Sequence, residues 1–141
     1  MIVLDTNVVS EVLSRGGIDP RVLGWLNAQE PASLFLSTIV FAELWFGAQL
    51  VREPVRREGL FQAIARIRSE YSGRILVFGE TASELYGRIT AARQLAGRPI
   101  ETKDAIIAAI CMAHDATLGT RNVRDFAGLD LALVNPFEAG A

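Results

Sequence analysis

Short apolar runs alternate along this chain with stretches in which apolar residues recur every three or four positions. Ile2-Val3-Leu4 is the first run, and a strand buried on both faces of a parallel sheet has that composition. Thr6-Asn7 then offers a helix cap, and Val8, Val9, Val12 and Leu13 follow at helical spacing until Gly16-Gly17 and Pro20 break the pattern. Val22, Leu23, Trp25 and Leu26 predict a short second helix, ended by Pro31. Leu34-Phe35-Leu36 reads as a second buried strand. Ser37 or Thr38 can cap the next helix, which carries Ile39, Val40, Leu44, Phe46 and Leu50. The segment Arg52 to Arg57, with Pro54 inside it, reads as an exposed connection before helical spacing resumes at Leu60, Ile64 and Ile67.

Ile75-Leu76-Val77-Phe78 is the third strand expected. Thr81-Ala82-Ser83-Glu84 matches the capping box, so a helix is predicted from there towards Gly97. A further helix is predicted from Thr102 to His114, a short strand at Ala116-Thr117-Leu118-Gly119, and a last strand at Leu131-Ala132-Leu133-Val134, closed by Asn135-Pro136. Strands alternating with helices predict one α/β domain over residues 1–141 with a mainly parallel sheet.

Composition narrows the function. The 141 residues are 50% hydrophobic and 21% charged, a globular rather than a disordered balance. A net charge of −2 excludes a broadly basic nucleic-acid coat, so contact with nucleic acid needs a local patch. One cysteine, Cys111, excludes an intramolecular disulfide and a multi-cysteine zinc site, and suits a reducing compartment. The longest apolar run, Ala105 to Ala113, is well short of the about 20 residues that cross a bilayer. A soluble, cytoplasmic protein without a membrane partner is expected.

Ligands of open α/β sheets bind beyond the carboxyl ends of the strands. Asp5 ends the first strand directly, Glu43 lies on the helix after the second, and Asp104 is in the first turn of the Thr102 helix; Asn122 and Asp125 follow the fourth strand. Each has an ordinary explanation: Asp5 and Asp104 can serve the positive ends of helices, and Glu43 can be a solvated carboxylate. Glu43 strains its explanation, because Phe41, Ala42, Leu44, Trp45 and Phe46 leave it little polar face. Converging carboxylates repel one another unless a divalent ion compensates, and hard oxygen donors without a His or Cys cluster favour Mg²⁺ or Mn²⁺ over zinc. Metal-assisted attack of water on a phosphodiester is the chemistry such a site supports best.

At these residues the chain resembles the VapC family of PIN-domain ribonuclease toxins, the FitB-like branch in particular. The resemblance runs through Met1-Ile2-Val3-Leu4-Asp5-Thr6-Asn7, Ser37-Thr38-Ile39-Val40-Phe41-Ala42-Glu43-Leu44, Thr102-Lys103-Asp104-Ala105-Ile106-Ile107-Ala108, Thr120-Arg121-Asn122-Val123-Arg124-Asp125-Phe126 and Asn135-Pro136-Phe137. It implies a PIN-like fold, a mainly parallel central sheet flanked by helices on both sides. It also implies an RNA substrate, Mg²⁺ (or Mn²⁺), metal-site acids at Asp5, Glu43 and Asp104, and a fourth catalytic position at Asn122. The family often has aspartate there; asparagine coordinates through its carbonyl but brings no charge, and Asp125 is a candidate to replace it. Thr6 and Thr120 are candidates to orient a water or ligand beside the acids. The implied partners are a VapB- or FitA-like antitoxin and a second copy of the chain, with DNA reached only through the antitoxin.

Thirteen of the fourteen basic residues are arginine, with Lys103 the exception. Arg121 and Lys103 are candidate backbone contacts for RNA, Arg124 more a solvated surface charge, and Arg52, Arg56, Arg57, Arg66 and Arg68 decorations of exposed helix faces. Trp45 and Phe46 adjoin on one helix and cannot point the same way, so one of them is expected near the surface, marking an interface. His114 sits at a helix end and Cys111 in an apolar helix, where neither is expected to be catalytic. Two functions compete: a metal-dependent endoribonuclease toxin, and a PIN-like subunit with little activity that dimerises a DNA-bound antitoxin. A receiver-type phosphoacceptor is set aside, because Thr6 stands where a second acid would be needed.

Overall fold

Five short strands pair side by side in the order β3-β2-β1-β4-β5, all parallel: β1 (Ile2–Leu4), β2 (Leu34–Ser37), β3 (Ile75–Leu76), β4 (Thr117–Gly119) and β5 (Leu133–Val134). This is a computed structural model, and it describes residues 1–138. The last three positions of the expected 1–141 domain lie outside the described residues. Among the described residues six helices flank the sheet: α1 (Thr6–Val12), α2 (Pro20–Asn27), α3 (Thr38–Gln49), α4 (Pro54–Glu70), α5 (Glu80–Leu95) and α6 (Thr102–Ala113).

Burial explains the central position of β1. Val3 and Leu4 are buried, as are Leu36 of β2 and Leu118 of β4, which an apolar run without alternation requires. Each such side chain stabilises the fold by about 1.5–3 kcal/mol of transfer free energy. In α6 the unbroken apolar series from Ala105 to Cys111 is buried at every position except Ile106, so this helix lies inside the molecule, against α5 and α3. Burial pushes the Cys111 thiol up to about 12, which leaves it inert. No described helix is long and apolar enough to cross a membrane.

Several boundaries differ from the sequence expectation, each for a reason outside the local pattern. The third strand stops at Leu76 because its only neighbour, β2, ends at Ser37 opposite it, and Val77 and Phe78 are left exposed. The last strand is Leu133–Val134 rather than 131–134, since β4 offers only Leu118 and Gly119 as partners. Ala116 precedes β4, and α6 ends at Ala113 with His114 as its exposed C-cap. The expected connection at Arg52–Arg57 is helix from Pro54 onward: Pro54 opens α4, and Glu53 caps it by accepting from the Val55 and Arg56 amides. α2 ends at Asn27, and Pro31 opens a single 3₁₀ turn instead of ending the helix.

The capping box at Thr81–Glu84 does not form. α5 starts at Glu80; the Ser83 hydroxyl donates to the Glu80 carbonyl at 2.6 Å, and Glu84 pairs with Arg88. At the other end Gly97 takes φ +75°, which an L side chain rarely adopts. The Arg98 amide donates to the Arg93 carbonyl at 2.9 Å and the Gly97 amide to Gln94 at 3.1 Å, closing the helix as a Schellman turn. On α3, Trp45 turns inward against Phe61 with ring centroids 5.9 Å apart, while Phe46 is 63% exposed.

Candidate active site

The sheet order changes direction between β1 and β4, and the crevice at such a switch point is where open α/β sheets bind ligands. Asp5 stands there. It leaves β1, donates its own amide to the Gly119 carbonyl of β4 at 2.8 Å, and caps α1. Asp5, rather than the Thr6-Asn7 pair, is the helix cap: its Oδ1 accepts from the Thr6 amide at 2.8 Å. Its Oδ2 accepts from the Thr120 hydroxyl at 2.8 Å and from Asn7 Nδ2 at 3.2 Å. Burial raises the Asp5 carboxyl above its ordinary range, and the bonds from Thr120, Thr6 and Asn7 work against that rise.

Thr120 is fully buried, and its oxygen also accepts from the Asn122 amide at 3.0 Å and from Asn7 Nδ2 at 3.3 Å. Asn7 completes the tie by accepting the Arg121 amide at 3.0 Å. One hydroxyl thus fixes both an acid of β1 and the loop after β4. Thr120→Val removes that donor and acceptor at constant shape. It is expected to cost about 1–3 kcal/mol in urea unfolding, because the buried Asp5 Oδ2 loses one of its two donors and the Asn122 amide loses its acceptor.

A cleft of about 440 Å³ opens over this corner, lined by Asp5, Thr6, Asn7, Ser10, Glu43, Glu101, Lys103, Asp104, Asn122 and Asp125. It brings Asp5, Glu43, Asp104 and Asn122 together with Asp125 and Lys103. Glu43 is not enclosed as its apolar neighbours suggest, since its side chain is 31% exposed. It accepts from the Thr6 hydroxyl at 2.8 Å and lies 3.8 Å from Lys103 Nζ. Asn7, Ser10 and Glu101 were not expected at the site. Arg121 and Arg124 are exposed and do not line this cleft.

The Asp104 carboxyl is pushed from 3.8 up to about 6, first by burial and then by the like charges of Asp5, Glu101, Asp125 and Glu43. A carboxyl whose folded value lies above its unfolded one favours folding when protonated. That contribution is complete below about pH 4 and is lost as the pH rises through about 6. At neutral pH without divalent ions, Asp104→Asn is expected to raise the melting temperature by a few degrees. That is on the order of 1 kcal/mol once solvent screening of this half-buried group is discounted. The difference closes on titration towards pH 4.

The PIN-domain family pattern matches residues 2–130, which include every acid of the cleft. This chain belongs to the PIN-domain family. Two relatives of the PIN domain are named toxins or ribonucleases. VapC ribonuclease Y4jK of Sinorhizobium fredii is 39% identical over 142 residues, covering 98% of this chain and 99% of the relative. Toxin FitB of Neisseria gonorrhoeae is 36% identical over 141 residues, covering 97% and 99%. A solved structure of FitAB bound to an IR36 DNA fragment superposes with a TM-score of 0.92 at 32% identity, over 100% of this chain and 99% of that one.

The donor chemistry of this PIN domain fits a hard divalent cation. Among the described residues the cleft offers carboxylate, amide and hydroxyl oxygens, and Lys103 is the only cationic side chain lining it. The raised Asp104 carboxyl marks unfavourable negative charge that such an ion relieves. Among the described residues no three acids are drawn into a ready-made chelating cluster.

Proposed function

We propose that this PIN domain is a Mg²⁺-dependent endoribonuclease, the toxin of a VapBC/FitAB-like toxin–antitoxin pair. The observation that carries the reading is the meeting of Asp5 and Asp104 in one acidic cleft at the sheet's switch point, in a chain 39% identical to a VapC ribonuclease. Asp5 and Asp104 would hold Mg²⁺ (or Mn²⁺), with Glu43 and Asn122 completing the site directly or through water. A bound divalent ion supplies Lewis acidity, acidifying water and offsetting charge on the phosphodiester. Hydrolysis adds water across one P–O ester bond, with the attacking oxygen in line with the leaving oxygen.

The chain's own residues supply positioning. Thr6, Asn7 and Thr120 hold the Asp5 carboxylate in one orientation, with both oxygens still able to accept a cation. Thr6 orients Glu43, and Lys103 beside it offers an ammonium to a phosphate oxygen. A FitA- or VapB-like antitoxin is the partner, supported by the FitAB likeness. DNA is reached through that antitoxin, a reading supported by the DNA-bound FitAB likeness; on the same proposal the toxin pairs as a homodimer and works in the cytoplasm.

Asn122 favours a second reading, in which the chain has little activity and serves to dimerise a DNA-bound antitoxin. Cleavage of a mixed RNA pool by the antitoxin-free protein separates the two. Cleavage with Mg²⁺ that stops in EDTA supports the nuclease. Tight antitoxin binding without cleavage under Mg²⁺ or Mn²⁺ supports the regulatory subunit.

A further inference from the structure

Beside the acidic cleft runs a second groove of about 630 Å³ between α1, α3 and α4, and the two share Asn7, Ser10 and Glu43 as common walls. Its character is opposite. Arg15 of the turn after α1, Arg56 of the first turn of α4 and Arg121 of the loop after β4 line it, over a floor that includes Leu13, Leu44 and Leu60. Among the described residues none of these three arginines forms an ion pair. Arg121 is held in place by its guanidinium stacking 3.7 Å over the Phe137 ring. Glu11, an acid of this groove, is engaged by the Asp19 amide at 2.8 Å.

We propose that this groove is the track for the single-stranded RNA that flanks the scissile phosphate. Its three arginines take backbone phosphates and its apolar floor takes base faces. The inference rests on the nuclease reading of the adjoining cleft. An acidic cleft accommodates one phosphate with the help of a cation and repels the next ones, so a chain of net charge −2 needs its cations concentrated beside the site. Guanidinium forks suit phosphate, and an apolar floor rewards unstacked bases, which a duplex keeps inside.

The test is equilibrium binding of a short labelled single-stranded RNA in EDTA, where no Mg²⁺-dependent cleavage occurs. The wild type is compared with Arg15→Ala/Arg56→Ala and with Arg66→Ala/Arg68→Ala, which removes two exposed charges elsewhere on α4. The groove variant is expected to bind at least about tenfold more weakly, with a salt dependence shallower by about one to one and a half log units per log unit of salt. The α4 control should bind as the wild type does. Unchanged affinity and salt slope in the groove variant overturn the proposal, including where that variant loses a protein partner instead. Equal groove-dependent binding of a duplex overturns the single-strand assignment. Groove-dependent RNA binding by a wild type that never cleaves would leave the track standing and remove the nuclease reading.

Discussion

Asp5→Asn and Asp104→Asn are each expected to lower Mg²⁺-dependent RNA cleavage by at least about 100-fold, the usual scale for deleting a group that offsets transition-state charge. The substitution is nearly isosteric, so it removes a charge rather than a shape. Both carboxyls are raised first by burial and then also by like charge, from Glu43 at Asp5 and from several acids at Asp104, so each is a net cost to the ion-free fold at neutral pH. Asp104→Asn should therefore melt no lower than the wild type in EDTA while losing activity; Asp5→Asn also exchanges one accepting oxygen for an NH₂ donor facing the Thr6 amide or the Thr120 and Asn7 donors, so its activity is read beside its melting temperature. Mg²⁺ should raise the wild-type melting temperature and leave the variants unmoved. Activity retained in either variant would remove that carboxylate from the mechanism. Activity lost together with stability would point to a folding defect instead.

The second large effect concerns the loop that carries Asn122. Val123–Phe126 forms a 3₁₀ turn, and Phe126, 1% exposed, anchors it in the core next to α6. Phe126→Ala is expected to cost about 3–5 kcal/mol, from lost transfer free energy and the cavity left behind. In a domain stable by about 5–15 kcal/mol, that lowers the melting temperature by on the order of 10 °C or more. Chemical unfolding monitored by circular dichroism measures it. A loss below about 1 kcal/mol would mean that the turn collapses onto the gap and that Phe126 does not anchor the loop.

How much of this was legible in the sequence depended on whether the determinant was local. An apolar triplet followed at once by an acid gave β1 and Asp5, because burial on both faces leaves no other pattern for a central parallel strand. Glu43 and Asp104 could be named from helix position and family resemblance, but their convergence with Asp5 is a product of the sheet order. The start of α4 is written locally as Glu53-Pro54, a cap followed by a proline at the first helical position, although the polar run around it reads as an exposed connection. Asn7 was beyond local reading. Besides its local bond to Asp5, it bonds to Thr120 and Arg121, more than 110 residues away, and those two bonds exist only because β1 pairs with β4. Glu101, just before α6, carried no signal beyond its charge. Strand ends at Leu76 and Leu133 were set by the length of the neighbouring strand, which no hydrophobic run records.

Uptake of Mn²⁺ by the purified protein, followed by electron paramagnetic resonance and read beside RNA cleavage in the same samples, tests the central claim most directly. The account predicts saturable Mn²⁺ binding that Mg²⁺ displaces, that weakens in Asp5→Asn and in Asp104→Asn, and that rises with cleavage as the ion is added back after EDTA. RNA cleavage that persists in EDTA, or equal Mn²⁺ binding by wild type and both variants, would contradict it.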